Sequence, residues 1–295
     1  MPAPITSLPL IVLLLGLLIS CEKEAPEIET EDIYAYEEPN YPMKQGGRFL
    51  RSIYYNYPEI NNLDYPFESG TKVEFFYNSK NYVDYFKVYG FGANSEGRVV
   101  KIEYNIQGLV NRIKYFSLDS TIIAYELFKY DSSKRLLKIS NYEQKEEHNN
   151  YELVNYSDFK YPSNDTIIQY MYAQYDNFEQ AHKEVYIYSL ERNIKEKYNY
   201  KYRSEHPYLS SEFFYNDKKR PFENLDLPIY EIAYDKFGLS EVFSTNHQVG
   251  FQSYSYDNDG VKVEVGGTQI FDYKYDDLGF PISRDESIYY GYIDL

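Results

Sequence analysis

The chain carries one cysteine, no tryptophan and three methionines in 295 residues. A lone cysteine, Cys21, excludes an intrachain disulfide, so the fold must rest on packing and hydrogen bonds. Basic residues are scarce as well: 30 Lys and Arg stand against 46 Asp and Glu, a net charge of −16. With no basic cluster of useful size to neutralise phosphates, no nucleic-acid partner is expected and bare anionic lipid is disfavoured. There is no Gly-x-Ser-x-Gly elbow, and the only thiol is Cys21, so nucleophilic catalysis has no candidate residue. The histidines His148, His182, His206 and His247 form no His-x-x-x-His or similar ligand pair, which places them at the surface or rim and argues for no metal and no cofactor. Asp257-Asn258-Asp259-Gly260 looks like a calcium-loop fragment, but the remaining ligands of such a loop are missing. Carboxylates are abundant without forming a constellation, so an envelope hydrolase is the weakest of the functional readings.

What is present begins with an almost unbroken apolar run, Leu8 to Ile19, about twelve residues long. That length suits the h-region of a secretory signal and is short for a membrane span. Leu18-Ile19-Ser20-Cys21 resembles the lipobox that lipoprotein signal peptidase reads before the cysteine is linked to diacylglycerol. The region before the run has no Lys or Arg, a departure from the usual signal pattern, so an uncleaved anchor and ordinary cleavage leaving a free thiol are the competing readings. Residues 1–20 are therefore expected to be a lipoprotein signal peptide and residues 21–47 a lipidated tether. Glu22 to Asp32 is acidic, contains Pro26 and has little to bury, as a solvated tether would. In Bacteroidetes-type lipoproteins such acidic residues after the cysteine are associated with display on the outer face of the outer membrane; a plain flexible linker is the competing reading. The expected address is the cell envelope, with the N-terminal lipid as the only membrane contact.

Residues 48–295 read as one tyrosine-rich domain with no Pro/Gly/Ser linker. The chain's 38 Tyr and 18 Phe favour pleated, half-buried surfaces. Periodicity agrees. In Lys197-Tyr198-Asn199-Tyr200-Lys201-Tyr202-Arg203 the tyrosines fall on one side and the polar residues on the other, a period of two. Val100, Ile102 and Tyr104 oppose Lys101 and Glu103; Val261, Val263 and Val265 oppose Lys262 and Glu264; Phe271, Tyr273 and Tyr275 oppose Asp272, Lys274 and Asp276. One apolar and one wet face per strand is the habit of antiparallel sheets.

Between these strands a form recurs, Tyr-Asp-x-x-Gly-apolar: Tyr234-Asp235 to Gly238, Tyr256-Asp257 to Gly260, and Tyr275-Asp276 to Gly279. Tyr104-Asn105 to Gly108 is a variant, and Tyr130-Asp131 to Leu136 a looser one. The Asx side chain accepts hydrogen bonds from the turn, and the glycine takes φ > 0 to close a type I turn into a hairpin. The expected fold is all-β: an antiparallel up-and-down meander closing into a water-soluble, porin-like β-barrel, or a strongly curved open sheet.

These units resemble the YD repeats of Rhs-type proteins and, more closely, a group of Bacteroidetes-type lipoproteins of uncharacterised function. The resemblance implies a porin-like β-barrel outside the membrane. Tyr273 to Ile282 is similar to that group's C-terminal signature, and Lys218 to Leu225 to a segment in which Arg220 stands where the group usually has Asn. The resemblance implies no catalytic residue.

Charges alternate with tyrosine along most strands, unlike a lipid-facing barrel. The rows Tyr198, Tyr200, Tyr202 and Tyr273, Tyr275 are the candidate ligand-binding residues, offering flat apolar faces with hydroxyl edges to a glycan or other extended ligand. The competing reading places them inside the sheet. Binding of an extended ligand, a glycan first, is the leading functional expectation; docking of another envelope protein is the second.

Overall fold

Alternating side-chain character sets the strands, and among the described residues turns led by Asx or Ser connect many of them. The computed structural model describes residues 39–55, 72–89, 98–117, 120–145, 150–221, 246–257 and 259–295. The N-terminal apolar run, the lipobox, most of the tether, His148 and the Asp235 to Gly238 turn lie outside those residues.

The strands are β1 (Arg48–Tyr55), β2 (Lys72–Tyr77), β3 (Val83–Tyr89), β4 (Arg98–Tyr104), β5 (Val110–Phe116) and β6 (Ile122–Tyr130). There follow β7 (Leu136–Gln144), β8 (Tyr151–Ser163), β9 (Thr166–Ala173), β10 (Gln180–Tyr188), β11 (Ile194–Lys201) and β12 (Leu209–Tyr215). The last are β13 (Gln248–Tyr256), β14 (Lys262–Ile270), β15 (Tyr273–Tyr275), β16 (Pro281–Arg284) and β17 (Ile288–Asp294). All form one 17-stranded sheet. Each strand pairs antiparallel with the next in the chain, except that β14 and β15 do not pair and that β1 also pairs with β17.

The ladder thus runs from β15 through β16, β17 and β1 to β14, and its two ends are consecutive in the chain. Laid flat, seventeen strands about 4.8 Å apart would separate those ends by about 77 Å. Only Phe271 and Asp272 join Ile270 to Tyr273, a reach of about 10 Å. The sheet must therefore curl round on itself. The expected meander is present, and of its two expected forms the curved open sheet applies, because hydrogen bonding does not close the barrel between β14 and β15. The cause is a change of partner. Phe271 N–H still donates to Val249 C=O on the β13 side at 2.8 Å, whereas from Tyr273 onward the chain pairs with β16.

The turns follow the predicted chemistry. Asp276 Oδ1 accepts from the N–H groups of Leu278 and Phe280, both at 2.9 Å, and Gly279, at φ 82°, donates to Asp276 C=O. Asp257 and Gly260 repeat this, as do Asn105 and Gly108. Since the Asp257 carboxylate is engaged by the N–H groups of Asp259 and Val261, the segment serves as a turn. Asn78, Ser117, Asp131 and Ser189 open the same turn, with Asn81, Ser120, Lys134 and Arg192 at positive φ where glycine would be usual.

Residues directly opposite across a ladder share a face. The pairs Ile53–Val73, Phe75–Phe86, Ile102–Ile113 and Phe128–Ile139 therefore lie on one face, where they join a single hydrophobic cluster with Ile53, Val73 and Phe75 wholly buried. Each such side chain contributes about 1.5–3 kcal/mol through burial. This is the packed face; the other is the reverse face.

Two expectations about wet faces need correction. Glu103, expected in water beside Lys101, is 1% exposed; Lys114 Nζ lies 2.5 Å and Arg112 3.5 Å from its carboxylate, so the reverse face buries an ion cluster there. The strand β14 alternates as expected yet has no buried side, Val263 and Val265 being 50% and 44% exposed. Alternation specifies a strand, but burial needs something packed on it, and among the described residues β14 pairs only with β13.

Candidate functional site

On the reverse face the register aligns side chains into rows that cross strands. One row runs Lys138, Asp158, Tyr170, Lys183, Tyr200 over β7 to β11. A second runs Lys160, Ile168, Val185, Tyr198, Ser210, Tyr254 over β8 to β13. A third pairs Tyr156 with Tyr172, rings stacked 4.6 Å apart. At about 4.8 Å per strand the first row spans about 19 Å.

These tyrosines are half-buried rather than wrapped in a core. Lys183 Nζ sits 3.6 Å from the Tyr200 ring centroid, Lys138 4.1 Å from Tyr156 and Lys160 5.0 Å from Tyr170. Burial pushes the Tyr156 phenol up to about 12, with Asp158 adding to the shift, so the phenol is neutral and able to donate. Tyr198 is raised by burial and by its hydrogen bond to Glu196. Tyr254 OH donates to Glu212 at 3.2 Å, and Lys262 holds the other carboxylate oxygen at 2.6 Å.

The two candidate rows are not brought together. Tyr198 lies in register with Ile168, next to Ile167, which packs on the hydrophobic cluster; alternation puts Tyr198 on the opposite face. Tyr273 packs on that same cluster. So Tyr198 and Tyr200 belong to the reverse face, while Tyr273 and Tyr275 belong to the packed face at the seam between the sheet's ends. Tyr202 lies beyond β11 in a turn, 37% exposed, with the Arg203 guanidinium 4.7 Å from its ring centroid.

At the seam, Tyr275 OH receives Asn216 Nδ2–H at 2.7 Å and lies 3.1 Å from His247 Nδ1. His247 is 1% exposed, with the Tyr273 ring edge-on at 4.2 Å, which corrects its expected surface position. Burial, helped by the Arg284 charge, pushes its imidazole down to about 3, so it is neutral at physiological pH. Surface placement fits His206, which is exposed; His182 is half-buried.

A polar network on the packed face was not singled out from sequence. Glu184 receives Lys197 Nζ at 2.7 Å and lies 3.3 Å from His182 Nε2. Tyr186 OH donates to its other oxygen and lies 3.3 Å from Gln169 Oε1, while Gln169 Nε2 donates to Ser157 Oγ at 3.0 Å. Burial would raise the Glu184 carboxyl, but His182, Lys197 and Tyr186 outweigh it and hold it at about 2. Its phase gave little signal: Glu184 shares a side of the strand with Tyr186 and Tyr188, while the aliphatic Val185 and Ile187 stand on the other side. Among the described residues, no group of three His, Cys, Asp or Glu is placed to hold a metal ion.

No protein-family model matches the chain. No curated protein matches it either. Among solved structures, the chain is similar to a porin-like protein from Bacteroides vulgatus, at 13% identity and TM-score 0.46 over 84% of this chain and 100% of that one. It is likewise similar to a porin-like protein from Bacteroides uniformis, at 10% identity and TM-score 0.40 over 87% of this chain and 100% of that one.

Proposed function

We propose that the chain is a lipid-anchored cell-envelope protein that binds an extended ligand, a glycan, on the reverse-face tyrosine rows, without catalysis. The observation that carries this reading is the run of half-exposed tyrosines over β8 to β13, interleaved with Lys, Ser and carboxylate groups. Such rows supply the amphipathic contact area and convergent hydrogen bonds that sugars need. The lipobox at Cys21 supports the anchor. Exposed Lys101 and Lys160 on the reverse face speak against a lipid-facing band there, leaving the N-terminal lipid as the membrane contact.

The test is a thermal-shift screen of the full chain in mild detergent against glycans, peptides and envelope-protein fragments. A ligand at 100 times its Kd stabilises by about 2.7 kcal/mol. A glycan hit lost in Tyr198→Ala or Tyr200→Ala supports the proposal; a hit unaffected by both overturns the assignment to this face.

The docking reading is favoured by β14. It is exposed along its whole length, carries Val263, Val265 and Ile270, and pairs on one side only among the described residues. A strand so presented can accept a partner's strand by edge addition. Silence on glycans with a hit on an envelope-protein fragment, lost in Val265→Lys, would favour this second reading.

A further inference from the structure

The reverse-face rows carry a charge opposite to that of the molecule. In a chain of net charge −16, Lys138, Lys160 and Lys183 gather on β7 to β10 around one carboxylate, Asp158. Lys138 and Lys160 both lower the Asp158 carboxyl, against the dominant effect of burial, so their fields converge there. None of the three lysines forms an ion pair among the described residues, whereas Lys114, Lys197, Lys262 and Lys274 all do. Each unpaired ammonium instead lies over a tyrosine ring, those of Tyr156, Tyr170 and Tyr200.

That arrangement bears on what can bind. An ammonium 3.6 Å from a ring centroid occupies one side of the ring and competes there with a stacked neutral sugar. What the two rows offer a ligand is then three ammonium groups around the one carboxylate of Asp158, with phenol groups between, held on paired strands. Resting over an aromatic ring is a weak commitment for a lysine at an exposed site, easily exchanged for an anion.

We propose that the ligand of this face is an anionic polysaccharide, its carboxylate or sulfate groups received by Lys138, Lys160 and Lys183. This rests on the glycan reading above and narrows it. Overall negative charge then disfavours polyanions on much of the remaining surface, so that these three lysines set where an acidic chain is received.

The experiment measures binding of the full chain in mild detergent to polygalacturonate, hyaluronate and dextran sulfate, each beside an uncharged counterpart: the methyl esters of the first two, and dextran. Vesicles of anionic phospholipid are run in parallel. The expected result is preference for the acidic forms, weakening as salt rises from 50 to 500 mM and the screening length falls from about 14 to about 4 Å. Lys138→Gln, Lys160→Gln and Lys183→Gln should each weaken binding about threefold, the size of an exposed charge pair. Their thermal midpoints should stay unchanged, which separates loss of binding from loss of fold.

Equal, salt-insensitive binding of acidic and neutral forms would overturn the anionic proposal while leaving the glycan reading standing. No binding to any polysaccharide would overturn both. Binding to vesicles alone would replace the polysaccharide with a lipid surface.

Discussion

Glu184 is the group whose titration the fold should most clearly reveal. Its carboxyl is held at about 2 against an ordinary 4.5, and its side chain is only 12% exposed, so little of the interaction is screened by solvent. The difference corresponds to about 3 kcal/mol of folded-state stabilisation at neutral pH. Since the folded carboxyl titrates below the unfolded one, that stabilisation is complete above about pH 5 and is lost as the pH falls toward 2. In Glu184→Gln the same network has a neutral side chain that cannot titrate. At pH 7 the variant should be less stable by at least about 3 kcal/mol, because Lys197 is also left without its counter-charge. Between pH 5 and pH 3 the gap between the proteins should narrow by about 2 kcal/mol. Urea unfolding at a series of pH values, followed by far-UV circular dichroism, measures both curves. The many other carboxylates contribute equally to each, so the difference isolates this residue. Parallel curves would show that Glu184 does not titrate as its partners require.

Other outcomes follow from the turns, the core and the anchor. Gly279 and Gly108 hold the same turn position at φ 82° and 74°, but a Cβ on Gly279 meets nothing within 4 Å while one on Gly108 would lie 2.4 Å from Tyr82 OH. Gly279→Ala should cost about 1 kcal/mol, the backbone penalty alone. Gly108→Ala should cost clearly more, because the Tyr82 ring is pinned by Tyr41 and Tyr104, and equal losses in urea unfolding would refute the distinction. Ile53→Ala should destabilise by about 2–5 kcal/mol and Val265→Ala by no more than about 0.5 kcal/mol, a contrast that guanidinium melts would test. Labelled fatty acid should be incorporated into the intact chain and not into Cys21→Ala; incorporation into the variant would remove the lipoprotein assignment.

Much of the sheet was legible in the sequence because its information is local. Alternation in Lys197 to Lys201 defines a strand without reference to any neighbour, though it continues past the strand's end to Tyr202, and Asp276 with Gly279 defines a turn within five residues. Turns with Asn81, Ser120 or Arg192 at positive φ escaped notice because they lack the glycine that marks the position, although the leading Asn or Ser was in plain view. What needed lateral register was not legible. Alternation says that Tyr198 and Tyr200 share a side, and that Tyr273 and Tyr275 do; it cannot say that the two pairs lie on opposite faces of one sheet. The Glu184 network draws on β8 through β11, and no short window of sequence contains it. The cation–π row is similar: Lys183 and Tyr200 are neighbours only because Glu184 is registered with Asn199.

The strand order also dictates how the chain can assemble. Apart from β1 with β17, every ladder among the described residues joins strands that follow each other in sequence. Opposed residues such as Tyr104 and Val110 close a short loop, whereas Tyr55 and Ile288 close nearly the whole domain. By loop-closure entropy the second contact costs about 3 kcal/mol more than the first before any packing repays it. All-β proteins fold slowly when their contacts are distant in sequence, so this chain should collect hairpins on the fast timescale of local pairing. Joining β1 to β17 is left as the slow, late step, one that a truncation at either strand would delete without unmaking the hairpins already formed.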